Sequence, residues 1–204
     1  MTELFEKPII YLITSGDANS SNFARERKRI LEIIRAAVES SVSLIQIREK
    51  QLSARLVFEL TTNAAQITSN SKTKLLLNDR ADIALAAGAN GVHLTANSLP
   101  AGIIREAFRK DFIVGVSVHS LEKAKTAKLD GADFVTFAPV FSTPNKGAPK
   151  GLEELRRVCG SLAPFPVIAL GGLNETNYQS VLDGGASGFA AIRYLNDLYA
   201  EKKI

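Results

Sequence analysis

The chain has 204 residues, of which 46% are hydrophobic and 23% are charged. This length and composition predict one soluble globular domain over residues 1–204, and they exclude a disordered tail, a collagen-like repeat and a low-complexity scaffold. The net charge of +4 is only weakly basic and no Lys/Arg face with interleaved aromatics is evident, so we expect no nucleic-acid partner.

Eight short apolar runs alternate with longer segments of helical periodicity along the whole chain. Runs of four or five apolar residues without polar alternation are typical of strands that are buried on both faces of a parallel sheet. The predicted strands cover residues 9–13, 44–47, 74–77, 91–94, 112–116, 134–137, 166–170 and 188–192.

The intervening segments place apolar residues three and four positions apart, which predicts helices with one buried face. The first such stripe is Ile30, Ile33, Ile34 and Ala37, and a later one is Ile103, Ile104, Ala107 and Phe108. Ser53, Ser120 and Asn174 are predicted N-caps, because Ser and Asn side chains accept hydrogen bonds from the free N–H groups of a first helical turn.

A Gly-Ala-polar step recurs before three of the predicted strands, at Gly88, Gly131 and Gly185. Each glycine is expected to end a helix in the left-handed conformation. Eight strand-helix units without a linker predict an α/β protein made of a single (β/α)₈ TIM barrel. An open doubly wound sheet is the alternative, but no glycine-rich phosphate fingerprint follows the first strand.

The only cysteine, Cys159, cannot form an intramolecular disulfide, and its helical context predicts a buried thiol. The first residues have no apolar stretch typical of a signal peptide, and no apolar run is long enough to span a bilayer. We therefore expect a cytoplasmic protein without a membrane partner. A homo-oligomer remains compatible with the sequence.

In a TIM barrel the chemistry is carried at the carboxyl ends of the strands and in the loops that follow them. Gln46, Arg48 and Lys50 alternate at the end of the second strand, so their side chains point to one side. Two cations and an amide in a barrel mouth indicate an anionic ligand. The alternative is a structural ion pair of Arg48 or Lys50 with Glu49 or Asp79.

Two glycines, Gly171 and Gly172, follow the seventh strand ahead of a predicted helix start. Their N–H groups could approach a phosphate, and the alternative is a tight turn that needs positive φ. Lys146 lies beside Gly147 in the loop after the sixth strand, which either closes over an anionic ligand or is an ordinary exposed loop.

His93 and His119 end two neighbouring strands, but no third residue with metal-ligand spacing accompanies them, so we expect structural or supporting histidines and no zinc. Asp79, which follows Asn78 at the end of the third strand, is a candidate Mg²⁺ ligand. Mg²⁺ commonly uses one or two carboxylates together with substrate phosphates.

Six motifs occur in a characteristic order: QIREK at 46–50, LNDR at 77–80, GVHL at 91–94, GVSVHS at 115–120, PVFSTPNKG at 139–147 and ALGG at 169–172. Over about residues 9–195 the chain resembles the thiamine phosphate synthase and TenI family. The resemblance implies a TIM barrel and a transferase of thiamine biosynthesis. This enzyme would join hydroxymethylpyrimidine diphosphate to thiazole phosphate and release pyrophosphate.

The resemblance also implies roles for individual residues, with small phosphorylated substrates as partners and Mg²⁺ as cofactor. The diphosphate would be held by Gln46, Arg48, Lys50, Asn78 and Lys146, and Mg²⁺ would be held by Asp79. The pyrimidine would lie beside Ser117, and Thr143 would lie near the phosphate contacts of its loop. The thiazole phosphate would be bound by Gly171, Gly172 and Ile192. Arg48, Ser117 and Lys146 are the predicted catalytic residues.

Four positions depart from the family pattern. Ser98 stands where family synthases have a second metal-binding Asp, Asn145 where a Thr is common, and Arg193 where a small Ser often contacts phosphate. Pro139 stands where the TenI-type tautomerase has its acid–base histidine, and proline cannot transfer a proton. The alternative function is therefore a catalytically impaired, TenI-like regulatory or binding protein for thiamine-pathway phosphates.

Overall fold

The computed structural model describes residues 8–144 and 147–201. Over these residues eight strands alternate with eight helices, and every pair of neighbouring strands is parallel. The strands follow one another in chain order around a closed barrel, and the last pairs with the first. The prediction of an α/β chain with a (β/α)₈ TIM barrel is confirmed.

The strands lie close to the predicted apolar runs. They are β1 (Ile9–Ile13), β2 (Leu44–Ile47), β3 (Lys74–Asn78), β4 (Gly91–Leu94), β5 (Ile113–Val118), β6 (Phe134–Phe137), β7 (Val167–Leu170) and β8 (Gly188–Ala191). The fifth strand extends two residues beyond its predicted end, so Ser117 lies within the strand rather than after it.

The helices pack around the outside of the barrel. They are α1 (Phe23–Glu39), α2 (Ala54–Thr68), α3 (Ala81–Ala86), α4 (Ala101–Ala107), α5 (Leu121–Leu129), α6 (Gly151–Leu162), α7 (Tyr178–Asp183) and α8 (Arg193–Glu201). None of the helices in the described ranges is both long and apolar enough to cross a membrane.

The apolar core has two layers because strand side chains alternate between the two faces of the sheet. Inside the barrel a cluster is formed by Ile9, Tyr11, Ile13, Leu44, Leu76, Ile113, Phe134, Ile168 and Ala190. Ile45 and Ile47 belong instead to the larger layer between the barrel and the helices. This alternation leaves Gln46 on the inner face, as predicted from the spacing of the second strand.

Local signals fix several helix ends. The hydroxyls of Ser53 and Ser120 accept hydrogen bonds from the N–H groups of the third residue of α2 and α5, which confirms these two N-caps. The glycines of the repeated step, Gly88, Gly131 and Gly185, have φ values of 78°, 84° and 91°. Each therefore reverses the chain between a helix and the next strand in the predicted way.

The predicted N-cap at Asn174 is wrong. The Asn174 carboxamide accepts hydrogen bonds from the N–H (2.9 Å) and hydroxyl (2.8 Å) of Thr176, and this local turn keeps the segment out of helical geometry. The helix α7 begins four residues later, after Asn177. The two glycines after β7 are thus followed by a turn, not directly by a helix.

The interpretation of Ile103 as a core residue is also wrong. Ile104 is buried, but the neighbouring Ile103 is 48% exposed. The helix α4 has only seven residues and ends before Phe108, so its buried face is narrower than the apolar stripe in the sequence.

The first and last strands close the barrel at a seam supported by α8. A Cβ atom on Gly188 would lie 2.0 Å from the carbonyl oxygen of Ile9, so only glycine fits this close strand approach. The buried carboxamide of Asn196 donates to the carbonyls of Ile13 and Ile192, both at 2.7 Å. These contacts tie the chain ends of the barrel together.

Candidate active site

A line of polar side chains crosses the carboxyl rim of the barrel from β2 to β3. The buried Gln46 carboxamide donates to the Asn78 side-chain oxygen at 3.0 Å. Asn78 in turn donates from its nitrogen to the Asp79 carboxylate at 2.8 Å. The three predicted ligand-binding residues therefore share one connected network, although they come from different strands.

Two hydroxyl groups from the segment after β4 donate hydrogen bonds to the Asp79 carboxylate. Its Oδ1 accepts hydrogen bonds from Ser98 and, at 3.2 Å, from Thr95. The backbone of Asp79 has a φ of 61°, a left-handed conformation that is uncommon for a residue with a side chain. Its N–H donates to the carbonyl of His93 at 3.0 Å. These contacts hold the carboxylate against the rim instead of leaving it in solvent.

This donor set fits Mg²⁺ only if substrate oxygens complete the coordination. Among the described residues no three His, Cys, Asp or Glu side chains are grouped as a metal site. Asp79 offers one carboxylate, and Thr95 and Ser98 add neutral hydroxyl oxygens beside it. Mg²⁺ is commonly held by one or two carboxylates together with phosphate oxygens and water, so a shared site is chemically reasonable here.

Arg48 follows β2 with its backbone fixed by β1. Its N–H donates to the Thr14 hydroxyl at 2.8 Å, and one of its guanidinium nitrogens lies beside Gly16. The expected ion-pair partner Glu49 is buried and accepts instead from the N–H groups of Gly16 (3.1 Å) and Ala18 (2.9 Å). The structural ion-pair interpretation is therefore not seen for Glu49, and no other described carboxylate forms an ion pair with Arg48.

Burial is the largest cause that lowers the pKa of His93; the charge of Asp79 raises this pKa, and the charge of Arg48 lowers it. Lys50 is exposed, and among the residues with described positions it makes no hydrogen bond or ion pair. The diphosphate-binding role of Lys50 stays a prediction.

His93 lies at the centre of a buried polar chain inside the barrel. Its Nδ1 is 3.1 Å from the Tyr11 hydroxyl, and its Nε2 is 2.8 Å from the Ser117 hydroxyl and 3.4 Å from that of Thr136. Burial lowers the pKa of His93 from 6.5 to about 4, so the imidazole is neutral near pH 7. The expectation of a supporting histidine fits this position.

The two glycines after β7 touch the loop that follows β6. Gly171 and Gly172 have φ values of 102° and 66°. A Cβ atom on Gly171 would lie 2.7 Å from Pro139 Cα, and one on Gly172 would lie 2.5 Å from the carbonyl oxygen of Ser142. Close backbone packing therefore requires both glycines. Outside the strand ladders, neither N–H donates to a described backbone carbonyl.

The remaining predicted residues lie around the same rim or beyond it. Thr143 is partly buried and donates to the carbonyl of Phe141 at 3.1 Å. Ile192 packs against the cluster inside the barrel, whereas Arg193 begins α8 and is exposed. Lys146 and Asn145 lie outside the described residues.

Two other polar residues noted in the sequence do not join the rim network. His119 is exposed and donates from Nδ1 to the carbonyl of Ala138 at 2.7 Å. Cys159 is buried, and burial raises the pKa of its thiol to about 11. A protonated, buried thiol is a poor nucleophile, which agrees with the prediction of a structural cysteine.

Reasoning from the sequence did not single out Tyr11 or Thr136, and it placed Thr95 after the fourth strand without giving it a role. Tyr11 lies between Ile9 and Ile13 with the same inward direction, and a polar aromatic residue in such a row is a signal of a buried hydrogen-bond network. Thr136 interrupts an apolar strand in the same way. No feature of the sequence indicates that Thr95 folds back onto Asp79.

A closed barrel with amide, carboxylate, guanidinium and hydroxyl groups on its carboxyl rim defines a TIM-barrel enzyme whose site suits small phosphorylated molecules. A family model described as thiamine monophosphate synthase matches residues 10–195. The chain therefore belongs to the thiamine monophosphate synthase family.

Individual relatives agree with this assignment. The chain is 37% identical over 171 residues to a thiamine-phosphate synthase of Caldanaerobacter subterraneus subsp. tengcongensis, which covers 82% of this chain and 79% of the relative. It is 36% identical over 185 residues to a thiamine-phosphate synthase of Clostridium acetobutylicum, with coverage of 90% and 84%. A solved thiamine phosphate pyrophosphorylase from Pyrococcus furiosus superposes with a TM-score of 0.80 at 32% identity, covering 96% of this chain and 93% of that one.

Proposed function

We propose that the protein is a thiamine phosphate synthase-type transferase. It would join hydroxymethylpyrimidine diphosphate to thiazole phosphate and release pyrophosphate, acting in the cytoplasm. The observation that carries the proposal is the connected rim network of Gln46, Asn78 and Asp79. The Arg48 guanidinium, which has no ion-pair partner among the described residues, follows the same strand as Gln46. The named relatives support this transferase over the regulatory protein that Ser98 and Arg193 left open.

In this reaction the bond between the pyrimidine methylene carbon and the diphosphate oxygen breaks. The electron pair of the thiazole nitrogen then forms the new C–N bond, so no proton needs to be removed from the nitrogen. The diphosphate gains charge as it leaves, and the methylene carbon becomes cationic. Catalysis therefore depends on groups that stabilise negative charge at the leaving oxygen.

The chain offers cationic and hydrogen-bonding groups for the diphosphate. In the proposal Arg48 and Lys146 supply positive charge, and the Gln46 and Asn78 amides with Lys50 orient the phosphate oxygens. Asp79 would hold Mg²⁺ together with substrate oxygens, and the ion would neutralise charge on the departing diphosphate. Pre-positioning of Asp79 by Thr95 and Ser98 lowers the reorganisation needed when substrate binds.

The second substrate would bind on the opposite side of the rim. The N–H groups of Gly171 and Gly172 donate to no described backbone carbonyl outside the strand ladders, and backbone N–H groups at this rim bind phosphate oxygens in many TIM barrels. Ile192 would contact the apolar part of the thiazole, and Thr143 would face the same pocket from the β6 loop. Ser117, which lies inside the barrel mouth, would contact the pyrimidine ring.

The test is a direct assay with both substrates and Mg²⁺, in which thiamine phosphate is measured by chromatography and pyrophosphate by a coupled enzyme. We expect both products in equal amounts from the natural chain. The Arg48→Met variant removes the charge but keeps much of the side-chain volume, and we expect it to lose about a hundredfold or more in rate. Arg55→Met, on an exposed position of α2, is the matched control. Absence of product from the natural chain would exclude the proposed reaction.

A further inference from the structure

We infer that Tyr11, His93 and Thr136 orient the Ser117 hydroxyl so that it can only donate a hydrogen bond to the bound ligand. This inference rests on the proposed function only for the identity of the ligand. The hydrogen-bond directions themselves follow from the side chains inside the barrel.

The first hydrogen bond whose donor can be assigned is the one between Tyr11 and His93. The Tyr11 side chain is fully buried in the barrel, and burial raises the pKa of its hydroxyl, which stays protonated. Among the described residues the partner of that hydroxyl is Nδ1 of His93 at 3.1 Å. A buried hydroxyl hydrogen without an acceptor is costly, so Tyr11 donates and Nδ1 accepts.

The tautomer of His93 determines which atom donates in the hydrogen bond between His93 and Ser117. Because Nδ1 accepts from Tyr11, it carries no hydrogen of its own, so the hydrogen of the imidazole lies on Nε2. Nε2 is 2.8 Å from the Ser117 hydroxyl oxygen, so His93 donates and Ser117 accepts. Tyr11 and Ser117 lie on β1 and β5, on opposite sides of the barrel, and His93 connects them.

Thr136 fills the remaining acceptor position of Ser117. The Thr136 hydroxyl is fully buried and lies 3.3 Å from the Ser117 oxygen and 3.4 Å from His93 Nε2. Since Nε2 already carries a hydrogen, the acceptor left to Thr136 in the described structure is the Ser117 oxygen. A hydroxyl has two acceptor positions and one donor, so Ser117 has both acceptor positions occupied and its own hydrogen left for the pocket.

This polarity defines the atom that the site recognises. The ligand atom facing Ser117 must be an acceptor without a hydrogen, such as a ring nitrogen with a free electron pair. An amino group at that point would meet the Ser117 hydrogen and be rejected. In the proposed reaction, Ser117 therefore selects a ring nitrogen of the pyrimidine and not its amino substituent.

The first experiment needs no substrate. The chain has only two histidines, so selectively ¹⁵N-labelled histidine gives two sets of imidazole signals, and the His119→Gln variant assigns them. At neutral pH we expect His93 to carry its hydrogen on Nε2 in the natural protein and to become a mixture of tautomers in Tyr11→Phe. Tyr194→Phe, on α8 outside the barrel, is the matched control and should leave the His93 signals unchanged. A hydrogen on Nδ1 in the natural protein, or an unchanged tautomer in Tyr11→Phe, overturns the inference.

The second experiment tests the acceptor preference. Two pyridine analogues of the pyrimidine diphosphate each have one ring nitrogen replaced by C–H. We expect the natural protein to discriminate against one of them by about ten- to a hundredfold in kcat/KM, and Ser117→Ala to lose this discrimination. Equal discrimination in both proteins overturns the inference. Absence of all turnover contradicts the proposed function instead, and the tautomer measurement still decides the inference.

Discussion

Replacement of Gly171 by alanine tests the close contact between the β7 and β6 loops. The backbone at Gly171 has a φ of 102°, and a Cβ atom would lie 2.7 Å from Pro139 Cα and 2.8 Å from Pro139 Cβ. A left-handed conformation costs alanine about 1–2 kcal/mol, and overpacking of a fixed neighbour costs about 1–3 kcal/mol more. Because the opposing atoms belong to a proline ring and backbone, they cannot move aside as a flexible side chain would.

The two costs predict that Gly171→Ala lowers the free energy of unfolding by roughly 2–5 kcal/mol. For a chain of this size each kcal/mol corresponds to about 2–4 °C, so we expect the midpoint of thermal unfolding to fall by roughly 4–20 °C. Circular dichroism during heating measures the midpoint, and urea titration at 25 °C measures the free energy.

The matched control is the same substitution at Gly160, near the end of α6. Apart from Gly160 itself, its chain neighbours and the backbone of its own helix, no described atom lies within 4 Å of a Cβ atom at this exposed position, and the backbone is helical. Alanine in a helix is favoured over glycine by about 0.5–1 kcal/mol, so Gly160→Ala should stabilise the protein slightly. The reasoning is refuted if Gly171→Ala unfolds within about 2 °C of the natural protein, or if both substitutions shift the midpoint in the same direction by similar amounts.

Three further predictions concern single titratable groups. Asp79→Asn should lower kcat/KM about 10²–10³-fold and weaken the dependence of kcat/KM on Mg²⁺. Asp82→Asn is the control, because Asp82 lies in an exposed ion pair with Arg80, and it should change neither quantity. Equal activity of the two variants would contradict the role of Asp79. The pKa of His93 is about 4 in the folded protein and about 6.5 in the unfolded chain. Between these two pH values only the unfolded chain binds the proton, so the free energy of unfolding falls by about 1.4 kcal/mol for each pH unit below 6.5. Urea titrations should find this slope reduced in His93→Gln, and identical slopes would refute it. Cys159, with its pKa raised to about 11, should react with iodoacetamide at pH 8 far more slowly than free cysteine, and fast labelling would contradict its burial.

The barrel was predictable because each of its elements is encoded locally. A strand such as β2 is a continuous apolar run, and its alternation already places Gln46 on the inner face. The N-cap at Ser53 needs only a hydroxyl before an apolar periodic segment. Asn174 shows the limit of this reasoning, because the same side chain that caps a helix also stabilises a turn, and only the following residues decide between the two.

The sequence could predict that several polar residues follow the strand ends, but it could not predict the hydrogen bonds between them. The rule that rim residues follow strands identifies Asn78 and Asp79, but their bonds to Gln46 and Ser98 depend on the register between strands. The contact of Tyr11 with His93 joins residues 82 positions apart across the barrel. A contact between residues so far apart in the chain cannot be predicted from a local sequence pattern.

The seam between β1 and β8 has a consequence for the protein during its synthesis. Each of the other strand pairings joins neighbours along the chain and can form as they leave the ribosome, but Ile9 finds its partner only when Gly188 has been made. Until then the nascent sheet has two open edges, and unpaired edges are templates for association with other chains. A chain that stops before Gly188 keeps both edges permanently and is expected to accumulate as aggregate instead of as a shortened enzyme.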